Sequence, residues 1–150
     1  MGMVQLVRLQ MVRERSVEFD SRINTPDRAA SLIRRILDGA DREQFVVLAV
    51  NAKNEVVGAN ISSVGSLNSS IVHPREIFKF AYLANAAAVI IAHNHPSGDP
   101  EPSPEDREVT RRLIEAGRVL GIDVLDHLIL GDSDYWSFRE HTPSVFAAAS

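Results

Sequence analysis

The chain contains no cysteine and one tryptophan, and it has no excess of positive charge: 16 Lys and Arg stand against 20 Asp and Glu, a net charge of −4. Without cysteine, disulfides and thiolate metal sites are both excluded, so a metal would have to be held by imidazoles and carboxylates. The missing basic footprint leaves nucleic acid, at most, a weak partner reached through local clusters such as Arg111 and Arg112. No uninterrupted apolar stretch approaches the roughly 20 residues of a membrane span, and the N-terminus lacks the apolar core of a signal peptide. Both absences point to a cytoplasmic protein with no membrane partner. What is present is a 45% hydrophobic composition over 150 residues, enough to bury one core without staples.

The segment "VQLVRLQMVRE" reads as a strand, or as a hairpin with "SVEFDSR", which makes residues 1–25 an N-terminal strand segment packing on the domain. "NTPDRAASLIRRILDGAD" predicts a helix: Thr25 caps it, Pro26 takes its first position, Leu32, Ile33, Ile36 and Leu37 form one apolar face, and Gly39 ends it. "EQFVVLAVN" and "VVGANISSVGS" read as a hairpin turning at "AKNE". A second helix is expected from Pro74, with Ile77, Phe78, Ala81 and Tyr82 at helical spacing. The short run "AAVIIA" follows as a strand. Ser103 and Pro104 open a third helix whose Val109, Leu113 and Ile114 face inward and which Gly121 ends. "IDVLDHLILG" and "YWSF" supply closing strands, and residues 141–150 read as a loose or partner-dependent tail. Strands interspersed with about three helices imply an α/β sandwich whose mixed sheet is covered by helices.

In such sheets, sites gather at the carboxyl ends of strands, and "IIAHNHPSGDPEPSPED" begins at one. Alternate strand residues share a face, so His93 and His95 point the same way as a metal pincer while Asn94 points opposite. Asp106, third in the following helix, projects its carboxylate back toward the loop. Two imidazoles and one carboxylate make a three-ligand catalytic zinc set with a fourth position open. Glu43, at the entrance of an apolar strand, is the candidate general base, and Ser103 the donor to a developing oxyanion. Each piece also has a plain explanation: a His pair at i, i+2 is commonly structural, and "SPED" is an ordinary helix start. Among other residues, His127 reads either as a buried histidine satisfied by backbone or Asp126, or as a support for the metal ligands. Arg75 and Glu76 read as a helix salt bridge, His73 as a helix-entry residue, "REVTRR" as a solvated face, and Trp136 as core or rim packing. Ser97 and Gly98 supply the turn, stiffened by Pro96, Pro100 and Pro102.

The ordered spacing His93, one residue, His95, seven residues, Ser103, two residues, Asp106 resembles the JAMM (MPN-plus) motif without a gap. The wider run from "VHPREIFKF" to "VLDHLILGD" is similar to the RadC family, over roughly residues 26 to 140. This resemblance implies a cytidine-deaminase-like (JAB/MPN) sandwich and a zinc-dependent hydrolase acting on a peptide or isopeptide bond of a protein substrate. It implies His93, His95 and Asp106 as zinc ligands, Ser103 as the motif serine and Glu43 as the upstream glutamate. RadC proteins usually carry an N-terminal helix-hairpin-helix region, and nothing resembling one precedes residue 26. The "NISSVGSLNSS" stretch is also more polar than the family's usual acid-containing segment. The family's label supplies an alternative, a DNA repair or recombination protein or a metal-dependent nuclease. A metal-binding module without turnover is the second alternative.

Overall fold

The computed structural model describes residues 1–19, 22–64 and 72–147. Its elements run α1 (Pro26–Ile36), β1 (Gln44–Val50), β2 (Val56–Val64), α2 (Pro74–Leu83), β3 (Ala88–Asn94), α3 (Pro104–Leu120), β4 (Asp123–Leu130), β5 (Tyr135–Ser137) and α4 (Phe138–His141), with a 3-10 turn at Pro143–Phe146. Local chemistry explains the helix ends. The Thr25 side chain accepts from the Arg28 N–H to cap α1, and α3 begins at a capping box and ends on Gly121 at φ 75°. The α1 helix stops at Leu37, ahead of the expected Gly39, which instead sits at positive φ in the turn beyond.

The five strands form one mixed sheet in the order β2-β1-β3-β4-β5. β1 pairs antiparallel with both β2 and β3, β3 and β4 are parallel, and β5 returns antiparallel. Alternate residues feed two cores. Val46, Leu48, Val50, Ile90, Ala92, Leu128 and Leu130 pack with α1, whereas Phe45, Val47, Val89, Ile91 and Val124 pack with residues of α2 and α3. The result is an α/β/α sandwich, consistent with a JAB/MPN fold, with β3 at its centre. Because α3 is the crossover between parallel β3 and β4, its N-terminus follows the carboxyl end of β3.

Three expectations are corrected. Residues 1–19 form no strand or hairpin: the apolar residues of "VQLVRLQMV" fall on both alternate faces, so no single face gains by burial, and Val4 and Leu6 stay fully solvent-facing. The segment is tied to α1 further along, where Arg15 donates to the Ile36 carbonyl and Arg35 to that of Glu18. Tyr82 lies off the buried face of α2, half exposed, with its hydroxyl donating to the Leu120 carbonyl. Within the expected loose tail, Pro143–Phe146 form the 3-10 turn, whose Val145 and Phe146 pack on the second core, with Phe146 under the Arg139 guanidinium; residues 148–150 lie outside the described residues. Most of "NISSVGSLNSS", from residue 65 onward, lies outside the described residues.

Candidate metal centre

Antiparallel pairing sets the site. Phe45 stands opposite His93, so the residues just before β1 run beside the end of β3. Asn94 locks that junction: its Oδ1 accepts from the Gln44 N–H at 2.7 Å and its Nδ2 donates to the Arg42 carbonyl at 3.0 Å. The two bonds flank Glu43, which is half-buried. Pointing the opposite way from Asn94, His93 is buried under α3, stacked on Phe45. The His95 N–H extends the sheet to the Leu130 carbonyl, and the chain then reverses at Gly98, at φ 90°.

The third element is the α3 N-terminus. In the capping box the Ser103 hydroxyl oxygen accepts from the Asp106 N–H at 3.1 Å and the Asp106 carboxylate accepts from the Ser103 N–H at 2.9 Å. The cap also aims that carboxylate at the histidines. His93 Nε2 lies 3.1 Å from Asp106 Oδ1, and His95 Nε2 lies 3.0 Å from Oδ2. The two Nε2 atoms are 3.1 Å apart. Glu43 closes the other side: one of its carboxylate oxygens and a ring nitrogen of each histidine all lie within 4.8 Å of one another, a group able to hold a metal ion.

Hydrogen bonding decides what these atoms carry. His95 Nδ1 faces the Asp99 carbonyl at 2.8 Å, and because a carbonyl only accepts, Nδ1 holds the proton and a neutral His95 presents a bare Nε2. Two imidazole nitrogens and a carboxylate therefore converge on one point that lacks positive charge. The Asp106 hydrogen bond accordingly raises the His95 pKa against the opposing effect of burial. Burial by itself would raise the Asp106 pKa, but the bonds to His93 and His95 outweigh it and hold the carboxyl well below its usual range. A cation answers the same need. Metal–nitrogen distances of 2.0–2.1 Å in tetrahedral coordination put donor atoms about 3.3 Å apart, close to the spacing found here. The donor set fits a metal ion.

The RadC-like JAB domain family matches residues 23–143. The chain belongs to that family. A UPF0758 protein of Rubrobacter xylanophilus is 56% identical over 119 residues, 79% of this chain and 52% of that protein. One from Moorella thermoacetica is 55% identical over 118 residues, 79% of this chain and 52% of the relative. One from Symbiobacterium thermophilum is 62% identical over 98 residues, covering 65% of this chain and 42% of the relative. The chain thus spans about half the length of the curated relatives it matches.

This RadC-like JAB domain brings together His93, His95, Asp106 and Glu43, and it sets Ser103 to capping, with the hydroxyl oxygen already accepting a bond. Glu76 is away from this group on the α2 surface and pairs with Lys79, not Arg75, because residues three apart on a helix are neighbours and adjacent ones diverge. His73 is the N-cap of α2, without a side-chain cap bond, and Trp136 is a half-buried ring stacked on His141. The Asp126 carboxylate does not satisfy the His127 side chain. It accepts from the His127 backbone N–H, the Ser137 hydroxyl and the Arg139 N–H, since successive strand side chains point to opposite faces. The His127 ring instead meets His93 and Thr110. Thr110 was missed inside "REVTRR", where Arg107, Glu108 and Arg111 are exposed but Thr110 is fully buried. Its position four residues after Asp106, on the same helical face, was the available signal.

Proposed function

We propose that this domain is a JAMM-type zinc hydrolase that cleaves a peptide or isopeptide bond. The observation that carries the reading is the convergence of two imidazole Nε2 atoms and the Asp106 carboxylate within 3.0–3.1 Å, with a second carboxylate, Glu43, within 4.8 Å of the histidine donors. In this reading His93, His95 and Asp106 hold the ion, and Glu43, the more distant acid, accepts the proton of the attacking water and returns it to the leaving amine. When bound, zinc supplies Lewis acidity, which polarises a carbonyl and acidifies water near neutral pH. Ser103 keeps a hydroxyl hydrogen for a developing oxyanion while its oxygen caps α3. An open cleft of about 460 Å³ borders His95 on the Asn94 side; Arg34, Asp38, Asp41 and Asp132 also line it, whereas His93, Glu43, Ser103 and Asp106 do not.

The test is a peptide and isopeptide library incubated with zinc-loaded protein, run beside single-stranded and duplex DNA. Peptide or isopeptide cleavage is expected, and Glu43→Gln should keep its metal while losing at least about 100-fold in turnover. Glu76→Gln, altering an exposed acid paired with Lys79, should retain most activity. Cleavage of DNA alone would overturn the reading in favour of a nuclease. An active Glu43→Gln would remove Glu43 as the base.

A further inference from the structure

We propose that Thr110 and His127 form a hydrogen-bond relay that sets the tautomer of His93 and leaves its Nε2 bare toward the cation site. Both are positioning residues, and their part in metal binding rests on the proposed function above. The relay runs through three elements. The Thr110 hydroxyl lies 2.7 Å from the Asp106 carbonyl and 2.6 Å from His127 Nδ1, and His127 Nε2 lies 2.9 Å from His93 Nδ1. His127 and Thr110 are fully buried and His93 nearly so, so no solvent competes for these bonds.

A direction for every proton follows from a single acceptor. A carbonyl oxygen carries no hydrogen, so the one hydroxyl proton of Thr110 goes to Asp106; reversing it would press two bare oxygens together at 2.7 Å. The hydroxyl oxygen must then accept, which puts the His127 proton on Nδ1. The His127 ring is fully buried and its bonded partners, Thr110 and His93, are not carboxylates, so a second proton would be a buried charge without a counter-ion; its Nε2 therefore accepts, and the proton of His93 sits on Nδ1. In neutral His93, Nε2 is left with a lone pair facing Asp106 Oδ1 and His95 Nε2, so its contact with the Asp106 carboxylate is made only through an added proton or a cation. The relay starts on the backbone of one ligand candidate and ends on the ring of another. It thereby links α3 to β3 through β4, where His127 is paired beside Ile91.

The packing alone does not require this. A valine at position 110 fills the same volume as threonine, so Thr110→Val removes the proton direction while keeping the shape. With no acceptor at His127 Nδ1, the His127 proton moves to Nε2, His93 Nδ1 becomes the acceptor, and the His93 proton takes the Nε2 position a metal needs.

The experiment is nitrogen-15 NMR of the imidazoles in metal-free protein under mildly alkaline conditions, with metal affinity measured by competition against a chromophoric zinc chelator. In the unaltered protein His93 and His127 should both carry hydrogen on Nδ1. In Thr110→Val both should move to Nε2–H, and zinc should bind about 10- to 100-fold more weakly, the range typical for lost outer partners of metal-bound histidines. Thr110→Ser should restore tautomer and affinity. A His93 Nε2–H in the unaltered protein, or a Thr110→Val with unchanged tautomer or affinity, overturns the relay. Zinc binding without any hydrolysis would sink the proposed function and leave the relay standing, because the tautomers are read without turnover. If Thr110→Val does not fold, the tautomers of the unaltered and Thr110→Ser proteins still decide.

Discussion

Asn94→Ala should separate the placement of Glu43 from the binding of metal. The Asn94 amide makes one bond on each side of Glu43, to the Gln44 N–H at 2.7 Å and the Arg42 carbonyl at 3.0 Å. Each is worth about 0.5–1.5 kcal/mol net where the freed groups can rehydrate, as these near-surface backbone groups can, so the loss of stability should total about 1–3 kcal/mol. His93 and His95 keep their own anchors on either side of the alanine, in Phe45, the Asp99 carbonyl and the Leu130 carbonyl. Metal content should therefore hold. Displacing Glu43 by about 1 Å would lower turnover by up to about 100-fold. Urea denaturation gives the stability, elemental analysis the metal, and hydrogen exchange at the Gln44 amide reports the clamp directly. Asn94→Asp should recover only the Gln44 bond, because a carboxylate has no proton for the Arg42 carbonyl. Unchanged Gln44 exchange in Asn94→Ala would refute the clamp. Activity that fell only in step with metal content would mean that Asn94 acts through the histidines.

Elemental analysis of the purified protein should find about one zinc per chain, with His95→Ala and Asp106→Asn both depleted; full retention by His95→Ala would refute the ligand set. Gly98→Ala should destabilise by about 1–3 kcal/mol on thermal denaturation, because its φ of 90° is a left-handed conformation and an added Cβ would run into the Asp132 carboxylate; an unchanged melting temperature would count against that strain. Asp126→Ala, which strands the donors of His127, Ser137 and Arg139, should cost about 3–5 kcal/mol, and Asp126→Asn, which keeps an acceptor, far less. The pH dependence has a definite sign. Burial raises the folded-state pKa of Asp126 despite its hydrogen bonds, so its contribution to stability is greatest in acid and is lost as pH rises from the unfolded carboxylate value, about 3.9, through the raised folded one. Asp126→Asn should therefore compare more favourably with the unaltered protein at neutral pH than in acid, and a constant difference across that range would contradict the shift.

Much of the architecture was legible because its causes are local. The caps at Thr25 and Ser103 act on N–H groups three residues away, and the hairpin of β1 and β2 turns within the residues joining them. Reading failed where the deciding partner was remote or the local pattern was ambiguous. The N-terminal segment resembled a strand because it is rich in apolar residues, but a strand needs a partner and one buried face. Tyr82 fitted the helical period yet falls at the edge of the buried arc, where its hydroxyl reaches the end of α3. Val145 and Phe146 looked like a tail because nothing nearby in sequence offers them a surface; the second core does.

At the site, the sequence by itself determined the chemistry: an absence of thiolates, His93 and His95 on one face, and Asp106 at the third position of a capped helix. Spacing within a strand and along the first turn of a helix is set by backbone geometry over a few residues, so it can be read from the chain. Only the tertiary structure decided that Glu43 comes within reach of the two histidines, because that follows from the antiparallel register of β1 on β3. It alone decided that His127 and Thr110 stand behind His93. Their contact requires β4 to lie beside β3 and α3 to pack over both, and no local rule encodes a hydrogen bond between groups 34 residues apart.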